Sequence, residues 1–408
     1  MSRETPPRAL NETSGLPIPA RAFPDRPLTL QPIRIDEFAH HVGSWLVSPG
    51  PESDVVVSCR VRLARNLSAF PFVTRLADDK AALLAKELRA ALTDLSEGGP
   101  AGEAASTGDG TWVDIPKASS VARLLLRERH LVSRDLAPIE EQRRVPAGRA
   151  VFFAQAETVS AMVNEEDHLR LQGFAGGFDL GLAWQRVREL DQGLEGRVDF
   201  AVSERLGYLT ACPTNVGTGM RASVMLHLPA LGLVRAELEK VFAAAQRTGL
   251  AVRGMYGEGT RAAGDLYQIS NQVTLGRSEP DLIGDLESLV PCIVDFERRV
   301  RKSLMDERRS SLEERVERSL GMLCNAKTMP TDVALMHLSN LRLGSCLGLF
   351  DRVQVQELNG LAVQIQRGHI QVRSVPTASA ALLDARERDQ LRATFLRERF
   401  ADGGGSAQ

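Results

Sequence analysis

Arginines recur at the edges of strand-like runs in this chain. In Ser58-Cys59-Arg60-Val61-Arg62-Leu63-Ala64-Arg65 the period-two geometry of an extended strand puts Arg60 and Arg62 on one face, and Arg170, Arg221 and Arg253 follow further along. Two guanidinium groups pointing the same way repel unless an anion lies between them, and their planar forks match phosphate oxygens two at a time. A polyphosphate suits such a pair; a solvated surface is the alternative that spacing alone leaves open. Three consecutive carboxylates, Glu165, Glu166 and Asp167, close the apolar alternation ending at Met162-Val163-Asn164 and stand beside His168 and Arg170. Such a cluster is costly without a cation nearby, or else it is a loop with a helix N-cap at Asn164 or Asp167. A metal is the weaker idea, because His168 and the carboxylates lack a second set of ligands. Two small-residue segments follow. Cys212-Pro213-Thr214-Asn215-Val216-Gly217-Thr218-Gly219 joins two strand-like runs, where Gly217 and Gly219 either let backbone amides approach a ligand or simply turn a hairpin. Arg253-Gly254-Met255-Tyr256-Gly257-Glu258 sets an arginine and a carboxylate among small residues. The motifs of P-loop ATPases and protein kinases are absent, as is a strand followed by G-x-G-x-x-G, which argues against the usual nucleotide folds.

These residues need elements to position them. The 408 residues, 43% of them hydrophobic, suffice for about two domains with cores of their own. Lys and Arg number 50 against 52 Asp and Glu, so the net charge of -2 lacks the uniform basicity of a nucleic-acid binder, and no nucleic-acid partner is expected. No apolar run approaches the roughly 20 residues of a membrane-spanning helix, and the N-terminus has no signal-like apolar core, so a soluble cytoplasmic protein without a membrane partner is expected. Five scattered cysteines without a C-x-x-C pair suggest reduced thiols, with neither a disulfide framework nor a zinc cage. Strand character falls at Asp54–Cys59, Ala150–Ala154, Thr158–Val163, Val198–Val202, Tyr208–Cys212 and Arg221–Leu228. Helical spacing runs through Leu231, Val234, Leu238, Val241, Phe242 and Ala245, stopping at Gly249. An antiparallel sheet backed by helices, an α+β fold, fits this interleaving. The expected organisation is a flexible proline-rich lead-in over residues 1–53, a catalytic domain over 54–296, a mainly helical domain over 297–400 and a flexible tail over 401–408. The stretch Glu97–Gly110 reads as a surface insertion.

Taken in order, S-x-R-x-R, N-E-E-D-H-x-R, C-P-T-N-x-G-T-x-x-R-A-S and R-G-x-x-G-E resemble the catalytic domain of the phosphagen (guanidino) kinase family over about residues 54–296. Longer strings, Cys212–Leu231 and Tyr267-Gln268-Ile269-Ser270-Asn271-Gln272, look like the family's protein-arginine kinase branch, McsB. The resemblance implies a phosphagen kinase or glutamine synthetase-like sheet, and transfer of the γ-phosphoryl group of ATP, with Mg2+, to a guanidinium nitrogen. The ATP-binding positions it implies are Ser58, Cys59, Arg60, Val61 and Arg62, then His130 and Arg170, then Arg221, Ala222, Ser223, Val224 and Met225, then Arg253, Gly254, Met255, Tyr256 and Gly257. No protein metal ligand is implied. Backbone along Arg221–Met225 would follow the phosphates, and His130 would contact the base. Phosphoryl transfer depends on positioning and on neutralising oxygen charge, so an arginine cage with Mg2+ can take the place of a P-loop. Glu166 and Glu258 would grip the acceptor and take its proton, with Cys212 in an auxiliary role. Cys59 departs from the serine common at that position.

The acceptor remains to be chosen. Small-guanidine kinases carry a helical domain ahead of the first arginine motif, whereas here 57 largely proline-rich residues precede Ser58, so an open pocket and an arginine on a polypeptide are expected. Arg388-Asp389-Gln390-Leu391-Arg392-Ala393 matches the R-D-x-x-R-A motif by which the McsB family binds phosphoarginine at an allosteric site. Arg388 and Arg392, four apart on a predicted helix Ala380–Phe400, share a face suited to a phosphate, and Asp389 can pair with a guanidinium. An ordinary amphipathic helix with Asp384–Arg388 and Asp389–Arg392 pairs is the plain alternative. The resemblance further implies a homodimer, an activator protein, and marking of substrates for a Clp-type protease in stress responses. A free-arginine kinase and a non-catalytic regulator that binds nucleotide or phosphoarginine are the rival readings.

Overall fold

The structure, a computed structural model, describes residues 33–98, 110–140, 144–254, 262–374 and 382–401. Two short helices, α1 (Ile35–His40) and α2 (Ser44–Val47), lead into β1 (Val56–Arg65), followed by α3 (Asp78–Gly98), β2 (Gly110–Asp114) and α4 (Ser120–Glu128). A meander of β3 (Ala150–Ala154), β4 (Val159–Val163) and β5 (Leu169–Gly176) precedes α5 (Leu180–Glu195). The chain continues through a small hairpin, β6 (Val202–Ser203) and β7 (Gly207–Tyr208), then β8 (Met220–His227), α6 (Pro229–Leu233) and α7 (Arg235–Arg247), then β9 (Leu250–Gly254) and β10 (Leu266–Asn271). Five helices end it: α8 (Glu279–Asn325), α9 (Thr331–Cys346), α10 (Val355–Gln364), α11 (Arg367–Ser374) and α12 (Ala385–Ala401).

All main strands form one eight-stranded antiparallel sheet, in the order β2-β3-β4-β5-β1-β8-β10-β9. Alternation divides it into two unlike faces. Cys59, Val61 and Leu63 on β1, Leu171 on β5, and Ala222, Val224 and Leu226 on β8 are wholly buried in a core shared with α3, α5, α7 and the first half of α8. Each large aliphatic side chain so buried contributes about 1.5–3 kcal/mol, which fixes the register, because a one-residue slip would bring the arginines into this core. Gly173 permits close packing of α5, since a Cβ there would lie 2.3 Å from the Ala183 carbonyl oxygen. Ser278 and Asp281 form a capping box at the start of α8, and that helix then runs 47 residues with a kink at Arg308. Its second half, with α9, α10 and α12, encloses a separate core around Leu323, Leu338, Leu361 and Leu396. No described helix is long and apolar enough to cross a membrane.

The sequence expectations need several corrections. Residues 33–53 are no flexible lead-in: Trp45 and Leu46 of α2 are buried, and Trp45 stacks on Phe174 with ring centroids 5.0 Å apart. Residues 1–32 and 402–408 lie outside the described residues. The division expected at 296/297 falls inside α8, where Glu297 is wholly buried, accepts from the Ala230 and Leu231 amides and pairs with Arg301 at 2.8 Å. Of the expected insertion Glu97–Gly110, residues 97 and 98 close α3, Gly110 opens β2, and the remainder lies outside the described residues. Val198–Val202 and Tyr208–Cys212, expected as strands, reduce to the two-residue strands of the β6–β7 hairpin.

Candidate active site

The register assembles the cationic face. Arg62 lies opposite Arg221 on β8 and Gln172 on β5, Arg60 lies opposite Ser223 and Phe174, and Ala64 lies opposite Arg170. Directly opposed residues share a face, so Arg60, Arg62, Arg170 and Arg221 converge, and Arg253 joins them through Gln268 on β10. Arg60 Nη2 donates to Gln268 Oε1 at 3.1 Å and Arg221 Nη2 to Ser270 Oγ at 3.2 Å. The Nε atoms of Arg62 and Arg221 are enclosed and have no hydrogen-bond partner, and no carboxylate pairs with Arg60, Arg62 or Arg221 among the described residues. Burial and then mutual repulsion push these groups down: Arg60 to about 10, Arg62 well below its usual range, and Arg221 in the same direction.

Arg170 is held differently. Its Nη1 meets Glu165 at 2.8 Å and its Nη2 meets Glu166 at 2.6 Å, so two carboxylates bracket one guanidinium at the edge of the cage. The acidic triplet is a loop between β4 and β5 rather than a helix start. Asn164 has φ 55° there, and its amide donates to the Ala81 and Gly148 carbonyls. Asp167 faces inward, where Oδ1 accepts from Asn66 Nδ2 and from the Ala211 amide, each at 2.7 Å, tying the triplet to the end of β1 and to the Cys212 segment. His168 Nδ1 accepts from the Leu67 amide, which leaves Nε2–H to donate to the Pro71 carbonyl at 2.8 Å. Glu165, Glu166 and Ala211 line a groove together with Val73, Leu76, Pro146 and Ala147.

Cys212 is partly exposed, with Sγ 3.0 Å from Thr214 Oγ1. Its loop is held by Thr274 Oγ1, which donates to the Thr214 and Val216 carbonyls, and by Gly219, at φ 65°, where a Cβ would lie 2.6 Å from the Ala64 carbonyl oxygen. A second recess opens over the cage, lined by Ser58, Arg60, His130, Ser223, Met225 and Gln268 on the sheet side. Burial, then Arg60 and Arg129, push His130 down to about 3, so its ring is neutral at pH 7.

Other expected positions lie elsewhere. Cys59, Val61, Ala222 and Val224 point into the apolar core, and burial pushes the Cys59 thiol up, which makes it inert. β8 is bonded on both edges, to β1 and β10, and the Ala222 amide also donates to Asn271 Oδ1 at 2.8 Å. On the open face β8 presents the side chains of Arg221, Ser223 and Met225. Gly254 ends β9, while Met255, Tyr256, Gly257 and Glu258 lie outside the described residues. In the distant motif Arg388 Nη1 donates to the Leu383 carbonyl, and Gln390 and Leu391 lie in α12. Arg392 is 1% exposed and donates to the Ile365 and Met329 carbonyls, each at 2.7 Å, and to Asp389 at 2.6 Å. Ala393 is buried beside it. The two motif arginines thus share a helix side without forming an open two-guanidinium face.

Gln172, Gln268, Ser270 and Trp45 were not among the expected residues. Gln268 and Ser270 had a readable signal, since polar residues alternate with apolar Tyr267 and Ile269; Trp45 had none.

Comparison with known proteins joins these features. Residues 101–300 match the ATP:guanido phosphotransferase C-terminal catalytic domain, and residues 309–407 match the protein-arginine kinase McsB C-terminal domain. A protein-arginine kinase of Symbiobacterium thermophilum is 40% identical over 360 residues, covering 88% of this chain and 96% of its own. The chain belongs to the protein-arginine kinase family. Another family member, from Bacillus pumilus, is 39% identical over 359 residues, covering 88% of this chain and 93% of its own. Among solved structures, the duplicated taurocyamine kinase of Schistosoma mansoni with bound transition-state analogue components is 26% identical with a TM-score of 0.52, over 68% of this chain and 37% of that one. Lombricine kinase, at 24% identity and a TM-score of 0.50, shares the fold over 69% of this chain and 74% of its own. The antiparallel sheet flanked by helices is thus the phosphagen kinase fold, and this member of the protein-arginine kinase family carries a helical layer after it.

Proposed function

We propose that the chain moves the γ-phosphoryl group of ATP to a guanidinium nitrogen of arginine side chains in proteins. The observation that carries this reading is the convergence of Arg60, Arg62 and Arg221, without carboxylate partners among the described residues, on the face where Arg170 meets Glu165 and Glu166, which line a groove. Enclosed donors that repel one another suit a polyanion, and a triphosphate supplies the oxygens they lack. An arginine guanidinium has a pKa above about 12 and must lose a proton as its nitrogen bonds to phosphorus and the bond to the ADP oxygen breaks. Glu166 accepts that proton, a task that Glu258, outside the described residues, would share. Arg170, now bracketed by Glu165 and Glu166, turns to the phosphates and leaves the carboxylates to the incoming guanidinium. Mg2+ bound with ATP would neutralise the oxygens of the transferred group. No cluster of three or more His, Cys, Asp or Glu fit for a metal occurs among the described residues, so the phosphates would be its main ligands. The groove past Val73 and Pro146 supports a polypeptide acceptor, as do the names of the relatives.

The finer parts of the proposal are phosphoarginine sensing through Arg388 and Asp389, a cytoplasmic homodimer, an activator protein, and hand-over of products to a Clp-type protease in stress responses. Matching of residues 309–407 to the McsB C-terminal domain supports the first of these.

Incubating the full chain with MgATP, casein and free L-arginine, and locating acid-labile phosphate by mass spectrometry, tests the reading. Phosphate on casein arginines is expected. Phosphate confined to free arginine makes it a small-guanidine kinase, and ATP binding without transfer makes it a regulator.

A further inference from the structure

The recess over the cage has a second wall. It is built by the C-terminal layer, with Leu338 from α9 and Asn359, Ala362 and Val363 from α10 facing His130 and Met225 across the gap. Asn359 is the informative residue. Its Oδ1 accepts from Arg342 Nε at 2.9 Å, and because a guanidinium nitrogen only donates, the amide has one orientation, with its NH2 turned away from Arg342. That nitrogen makes no hydrogen bond among the described residues, in a residue 9% exposed. Arg342 is itself fixed by donating to the Ser53 and Asp54 carbonyls at 2.8 and 2.9 Å and to His227 Nδ1, so the Asn359 orientation is held.

We infer that the C-terminal helical layer is part of the nucleotide site: a purine seated in this recess packs on Leu338 and Val363 and receives a hydrogen bond from Asn359 Nδ2 at a ring nitrogen. The inference rests on the reading that the cage holds the phosphates of ATP. It also gives the R-D-x-x-R-A segment a route to the site. Arg392 bonds Ile365 at the end of α10 and Met329 just ahead of α9, so one buried guanidinium positions both helices of this wall.

Calorimetric titration of the full chain with ATP, together with steady-state kinetics on casein, tests the assignment. Asn359→Asp keeps an acceptor for Arg342, removes the donors and adds a negative charge, and Ala362→Leu is the uncharged control. ATP is expected to bind about tenfold more weakly and its KM to rise in step, with kcat at saturating ATP, KM for casein and the melting temperature held. Ala362→Leu fills the recess without deleting a polar contact and produces a similar loss. ATP affinity within twofold of wild type in either variant overturns the inference. A wild-type chain that binds ATP but leaves arginine unmodified defeats the functional reading alone, because calorimetry reads binding without turnover.

Discussion

Arg65 and Arg62 stand three residues apart on β1 and face opposite ways. Arg65, on the helix side, has its donors met: Nε and Nη2 go to Asp191 at 3.0 and 2.8 Å, Nη1 goes to the Ala64 and Thr218 carbonyls, and its guanidinium lies 3.4 Å from the centroid of the Tyr208 ring. Arg62, on the open side, has an enclosed Nε with no partner among the described residues, and the charges acting on it are Arg60, Arg170 and Arg221, offset in small part by Glu165. The same residue type on one strand therefore does two jobs. Where the protein supplies the counter-charge, arginine is mortar that holds α5 and the Cys212 loop to the sheet. Where the described residues supply too little, the unmet demand points to the ligand, because buried like charges persist at a cost that an anion relieves.

The largest effect separates the cage from the proton acceptor. Glu166→Gln should lower turnover by about 10²–10⁴-fold while ATP affinity and unfolding midpoint stay near wild type, since among the described residues its carboxylate pairs with Arg170 alone and lines the groove. Retained turnover, measured as phosphoarginine by mass spectrometry, would remove Glu166 from the chemistry. The two faces then differ in sign. Arg65→Met leaves Asp191 buried without its partner and should lower stability by about 3–5 kcal/mol in urea unfolding. Arg62→Met relieves repulsion, and is expected to leave stability unchanged or raised while weakening ATP at least about tenfold. If Arg62→Met destabilises as much as Arg65→Met, the distinction between mortar and cage fails. ATP itself should restore what the cage lacks: at 100 times Kd it adds about 2.7 kcal/mol to the wild-type chain, and at the same concentration less to Arg62→Met, read as a shift in melting temperature.

Much of this division was legible. The parity of β1 assigned Arg60 and Arg62 to one face before any partner strand was known, because a two-residue period needs no tertiary information. The neighbours were harder. Leu169–Gly176 carries Arg170, Gln172 and two glycines, which dilute its strand pattern, although its partners on both edges make it central to the sheet. α2 follows a proline-rich stretch and is only four residues long, so its burial depends on Phe174, far away in sequence. Composition changes near residue 296 because α8 leaves one core for another, and the helix itself does not break there. The R-D-x-x-R-A spacing predicted a shared face for Arg388 and Arg392, but spacing cannot reveal that the Ile365 and Met329 carbonyls occupy one of them.

The smallest predicted effect extends the comparison to pH. His130 shares the recess with Arg60 and is pushed down to about 3 by burial first and by Arg60 and Arg129 next. Its unfolded value is 6.5, so above that pH both states are neutral and its contribution to stability is fully present. As pH falls below 6.5 the unfolded chain takes up the proton and the native chain does not, and stability is lost progressively toward the native value. Between pH 6.5 and 5 the native ring stays neutral, so the loss from this residue is about 2 kcal/mol whatever its final value. Urea midpoints at pH 7 and 5 should therefore differ less in His130→Gln than in wild type. A bound ATP analogue cancels the share due to Arg60 and leaves the larger share due to burial, so the wild-type dependence between pH 7 and 5 should persist, and its disappearance would assign most of the shift to the cage instead of burial.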